Sequence, residues 1–77
     1  MNWQQRITVN PAVCHGKACI DGTRVMVSVV LDNLAAGESA EQIAAACKMT
    51  VDDIQAALLY ASELTKERVV PLNVAGA

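Results

Sequence analysis

Ser39-Ala40-Glu41-Gln42-Ile43-Ala44-Ala45-Ala46-Cys47-Lys48-Met49-Thr50-Val51-Asp52-Asp53-Ile54 holds two helix starts separated by a very short break. Ser39 stands where a side-chain oxygen can accept from a free first-turn amide, and Gln42 can reach back to the Ser39 N–H, the reciprocal pair of a capping box. Thr50 and Asp53 repeat the spacing, and Asp52 and Asp53 place negative charge at the positive end of the next helix dipole. Met49, just before that cap, can pack on Ile54 as a hydrophobic staple. Ile43, Ala44 and Cys47 form the buried side of the first of these helices, and Ile54, Ala57, Leu58, Ala61 and Leu64 that of the second. Two capped helices joined by so short a turn predict a helix-turn-helix, with small Ala44 letting the helices cross closely. The glycine usual in such a turn is absent, and Lys48 stands near its place.

Upstream, Val27, Val30, Leu31 and Leu34 recur at i, i+3, i+4 and i+7, which predicts a first helix over Val27 to Ala36 with no obvious N-cap. Gly37 suits the left-handed position that closes it. Further upstream the periodicity changes. Arg6-Ile7-Thr8-Val9 alternates as a half-buried strand does, and Asn10-Pro11 punctuates it. Asp21-Gly22 lies between Ala18-Cys19-Ile20 and Thr23-Arg24-Val25 and predicts a hairpin of the type I′ kind. Downstream, Lys66 and Arg68 favour a helix C-terminus and Pro71 prevents continuation. The expected architecture is mainly α: a three-helix helix-turn-helix with a short N-terminal β-hairpin over residues 1–68, then a tail over 69–77.

Composition narrows the function. The chain has 77 residues, 53% of them hydrophobic but only 3% aromatic, so the core must be built from Ala, Val, Leu, Ile and Met. A core this thin favours association, and a homodimer is expected. The net charge of −2 argues against binding nucleic acid through bulk charge. Three cysteines in no evident framework fit a reducing compartment. With no signal-peptide core in the first residues and no membrane-length apolar run, a cytoplasmic location is expected.

Candidate sites follow from the helices. In a DNA reader the first turns of the last helix face the major groove. Gln55 could then read adenine, Thr50 could touch phosphate and Lys48 is the nearby cation, with Asp52, Ala56 and Leu59 also exposed. Asp52 and Asp53 oppose that role, and a plain solvated helix start is the alternative. Leu59 and Tyr60 fall off the inward stripe and suggest a partner or dimer interface, unless the core face is wider. Val70 and Leu72 in the tail either fray or order on a partner. Around the hairpin, Gly22 serves the turn and Thr23 can bond nearby backbone. Arg24 can lock the hairpin to the helices by bridging carboxylates, or meet a phosphate. Cys14, His15 and Cys19 lack the paired spacing of a structural zinc site, and no constellation suggests an enzyme. No catalytic residue, metal or cofactor is expected.

Gly16-Lys17, Ile20-Asp21-Gly22-Thr23-Arg24-Val25, Val27, Leu34-Ala35-Ala36-Gly37, Ser39 with Ile43, and Thr50-Val51-Asp52-Asp53-Ile54 with Ala56-Ala57-Leu58 and Tyr60-Ala61 together resemble domain of unknown function family 433. The likeness runs from about Ile7 to Leu64. It departs at Ala18, where proline is usual, and at Cys47-Lys48, where a proline before the last helix is absent. The resemblance implies a homeodomain-like helix-turn-helix and an antitoxin of the VapB-like kind. Such a protein would neutralise a PIN-like ribonuclease toxin and bind its own operator DNA. The alternative is a dimeric protein-interaction module with the same fold that does not bind DNA.

Overall fold

Three helices carry the fold: α1 (Val27–Ala35), α2 (Ala40–Cys47) and α3 (Val51–Glu67). The computed structural model describes residues 2–67 and 69–72, so Arg68 and the tail residues 73–77 lie outside the described residues. Both capping boxes form. The Ser39 hydroxyl accepts from the Gln42 N–H at 3.1 Å while the Gln42 amide oxygen accepts from the Ser39 N–H at 2.9 Å. At α3 the Thr50 hydroxyl accepts from the Asp53 N–H at 3.2 Å, and an Asp53 carboxylate oxygen accepts from the Thr50 N–H at 3.0 Å. Each cap satisfies amides that a helix start would otherwise leave unpaired.

The helix ends are also legible in the backbone. After α1, the Gly37 N–H donates to Leu34 O at 3.0 Å and the Glu38 N–H to Asn33 O at 3.1 Å, with Gly37 at φ +100°. That is a Schellman ending with glycine at its left-handed position. α2 ends in the same way, the Met49 N–H donating to Ala44 O at 2.9 Å, but the left-handed residue is Lys48 at φ +57°. The lysine therefore takes the place and conformation of the turn glycine, and Lys48–Thr50 alone connects α2 to α3.

Burial follows the stripes with three exceptions. Ile20, Val27, Val30, Ile43, Ala44, Ile54 and Ala57 form the core cluster, and Leu31, Leu34, Cys47, Met49 and Tyr60 pack against it. Leu58 and Leu64, expected inside, are 42% and 38% exposed, whereas Ala56, expected outside, is 0% exposed. Ala56 is covered by a short 3-10 helix at Trp3–Arg6, which packs along α3. Asp53, Ala56 and Tyr60 are spaced i, i+3 and i+7, so they share one face of α3. Arg6 lies on Asp53 and Trp3 meets Tyr60 edge-on, with ring centroids 6.3 Å apart. Ala56 is buried between those two contacts, and α3 thus has two covered faces.

The sheet also differs from expectation. Strand β1 (Ile7–Thr8) pairs antiparallel with β2 (Cys19–Ile20), Ile7 opposite Ile20 and Thr8 opposite Cys19. The Asp21-Gly22 turn does close, the Thr23 N–H donating to Ile20 O at 3.0 Å and the Ile20 N–H to Val25 O at 2.9 Å. Its second arm is reduced to an isolated bridge between Cys19 and Met26, because α1 begins at Val27. Gly22 has φ +79° while Asp21 is not left-handed, which excludes a type I′ turn. Thr23 supports the turn, its hydroxyl donating to Ile20 O at 2.7 Å and accepting from the Val25 N–H at 3.0 Å. No helix among the described residues is long and apolar enough to cross a membrane.

Candidate functional site

Two surfaces collect the candidate residues. The first is the start of α3. Lys48, Thr50, Asp52 and Gln55 are exposed there, but their chemistry is divided. The Thr50 hydroxyl oxygen is engaged as the helix cap. Asp52 keeps a side chain 64% exposed, 3.7 Å from an Arg6 guanidinium nitrogen. Arg6 also holds Asp53, Nη1 to Oδ1, at 3.0 Å. Burial favours the neutral form of the Asp53 carboxyl and is the largest single influence on it. The Thr50 N–H, the Arg6 guanidinium and the Thr50 hydroxyl together outweigh it and hold the carboxyl below its ordinary 3.8. The cation nearest this helix start is therefore committed to its carboxylates.

Arg6, rather than Arg24, ties the N-terminal segment to the helices. Arg24 is exposed and forms no side-chain ion pair among the described residues. Arg6 carried no sequence signal for this role, since its partners stand 46 and 47 positions away and nothing local announces the contact.

The second surface is a cleft of about 500 Å³ between α1, α3 and the segment that joins β1 to β2. Val9, Ala18, Val27, Leu31, Tyr60 and Leu64 line it, with Lys17 and Ser28 contributing polar groups. Tyr60 thus belongs both to the core edge and to the cleft, while Leu59 is half-buried and outside it. Val9 and Leu64 are 60% and 38% exposed, so the lining is partly wet. Beyond α3 the chain presents further unburied apolar surface: Val69, Val70 and Leu72 are 92%, 72% and 78% exposed. The structure brings Tyr60 into the cleft and leaves Val70 and Leu72 uncovered. Val9, Leu31 and Leu64 were not singled out as site residues, because their stripes read equally well as core.

No curated protein matches the chain. Similar solved structures include the crystal structure of a DUF433 member protein from Anabaena variabilis. It is 28% identical, with a TM-score of 0.74, and the match covers 83% of this chain and 64% of that one. Another is RV2018 from Mycobacterium tuberculosis, 28% identical with a TM-score of 0.66, over 73% of this chain and 27% of that one. The chain thus spans less than two thirds of either neighbour. The model of DUF433, a protein family of unknown function, matches residues 7–61. With most of its length and its whole helical core inside that match, the chain belongs to the DUF433 family.

Proposed function

We propose that this protein is an antitoxin-like regulator that works by protein contact, its cleft between α1 and α3 receiving a PIN-like ribonuclease partner. The observation that carries this reading is the open apolar cleft lined by Val27, Leu31, Tyr60 and Leu64; Val70 and Leu72 add further exposed apolar surface after α3. Contiguous apolar surface on a small domain marks an interaction site more often than isolated exposed side chains do. The partner class rests on the family resemblance of the sequence. The thin aliphatic core supports a homodimer as the working form.

Operator binding through α3, a homeodomain-like use of the helix-turn-helix, is the second reading. Lys48 and Gln55, exposed at the turn, favour it. The open Asp52 carboxylate and the engagement of Arg6 oppose it, because phosphate binding needs free cations. Without operator binding, the protein is a dimeric interaction module.

A pull-down of the tagged protein from its native cells tests the first reading. A stoichiometric small ribonuclease supports it, and recovery of the protein alone overturns it. Binding to the protein's own upstream DNA, measured across salt concentrations, tests the second. Affinity that falls as salt rises supports operator contact, and salt-independent affinity removes it.

A further inference from the structure

Cys14, His15 and Gly16 lie consecutively in the left-handed region, at φ +52°, +55° and +79°. An L side chain in that conformation costs about 1–2 kcal/mol, and only Gly16 is exempt. Strain of this kind persists where the surroundings over-determine it, and it concentrates at working sites. Here the twist sets the Cys14 thiol, which donates to Arg24 O with Sγ 3.2 Å away. The Cys19 thiol donates to the adjacent carbonyl, Thr23 O, at 3.7 Å. The two thiols converge on the carbonyls of successive residues, Thr23 and Arg24.

Their environments differ. Cys14 is partly exposed, whereas Cys19 is 0% exposed. Burial, then the Cys14 thiol and the nearby Asp21 charge, raises Cys19 above 9.0 and keeps it protonated. One sulfur can be reached from solvent and the second is buried. That arrangement suits an attacking and a resolving thiol. Cys47 lies at the end of α2.

We propose that Cys14 and Cys19 are a peroxide-responsive pair that closes to a reversible intramolecular disulfide. The Cys14 thiolate attacks the O–O bond of hydrogen peroxide. One oxygen stays on sulfur as a sulfenic acid, and the other takes up the proton released by the thiol and leaves as water. The Cys19 sulfur then attacks the Cys14 sulfur, hydroxide departs, and the Cys19 proton makes it water. Two thiols and one peroxide become one disulfide and two waters, with two electrons passing from sulfur to oxygen. Two equivalents of a small thiol such as glutathione reverse the step by exchange and leave as their own disulfide. Gly16, Lys17 and Ala18 form part of the cleft wall between the two cysteines, so closure constrains that wall. The chemistry needs no partner and stands apart from the protein-contact reading.

The experiment treats the reduced full chain with hydrogen peroxide, blocks free thiols with N-ethylmaleimide and maps tryptic peptides by mass spectrometry. Lys17 lies between the two cysteines, so trypsin leaves them on separate peptides joined only by a disulfide. The expected result is the Cys14–Cys19 linked pair, Cys47 fully labelled, and recovery of all three thiols with dithiothreitol. Cys14→Ser should abolish the link and leave Cys19 unoxidised. Cys19→Ala, checked by circular dichroism for unchanged helicity, should accumulate a Cys14 sulfenic acid trapped by dimedone. Sulfinic or sulfonic acid at Cys14 with Cys19 still a free thiol, or linkage through Cys47, overturns the proposal.

Discussion

Arg6 Nη1 lies 3.0 Å from Asp53 Oδ1, a contact between residues 47 positions apart. It joins the N-terminal 3-10 helix to the cap of α3. Asp53 binds the Thr50 N–H with its other oxygen, so one carboxylate both caps a helix and anchors a distant segment. Arg6→Met should loosen that segment. The Arg6 side chain is 35% exposed, which limits the contribution of the pair to about 1 kcal/mol. Denaturant unfolding should register that loss. NMR titration should show the Asp53 carboxyl ionising closer to its ordinary value.

The same carboxylate sets an acid limb. Its folded pKa is depressed below 3.8, so the stability it adds is present above the unfolded value and is lost as pH falls through the folded one. Denaturation midpoints followed from neutral to strongly acidic pH should therefore fall more steeply for the native chain than for Asp53→Asn. Parallel curves would show that Asp53 is not the group responsible.

Lys48 holds a left-handed conformation that glycine adopts without steric cost. Lys48→Gly should stabilise the protein by up to about 1 kcal/mol, because relief of a φ strain of about 1–2 kcal/mol outweighs the roughly 0.4–1 kcal/mol cost of the freer unfolded chain. A rise in the thermal midpoint checks this. The same variant bears on operator binding, since it removes the nearest exposed cation while sparing the turn.

Ala56 sits at 0% exposure on the face of α3 that the N-terminal 3-10 helix covers. Ala56→Leu should overpack this contact at a cost of about 1–3 kcal/mol and push the 3-10 helix away. Trp3 is the only tryptophan and packs on Tyr60. Its fluorescence should shift toward that of a solvated indole in the variant.

These residues also show which features could be read from sequence. The caps at Ser39 and Thr50, the ends at Gly37 and Lys48, and the aliphatic stripes of α1 and α2 are local signals with a helical period, and they appear where they were expected. The contacts of Arg6, the burial of Ala56 and the pairing of Ile7 with Ile20 depend on segments that meet only in three dimensions. The Asp21-Gly22 turn is a local signal as well, but it announces a reversal of the chain and not the strand that pairs beyond it. The cleft was legible in parts only, because Leu31 and Leu64 have the same period whether they face a core or a partner.

The measurement that bears most directly on the account is the affinity, for the native chain and for Leu64→Asp, of a ribonuclease recovered in the proposed pull-down. Leu64 lines the cleft and is 38% exposed, so the substitution spares the core. Binding weakened by tenfold or more, about 1.4 kcal/mol, with unchanged helicity, is the result the cleft reading requires. An unchanged affinity, or no ribonuclease bound by the native chain, would contradict it.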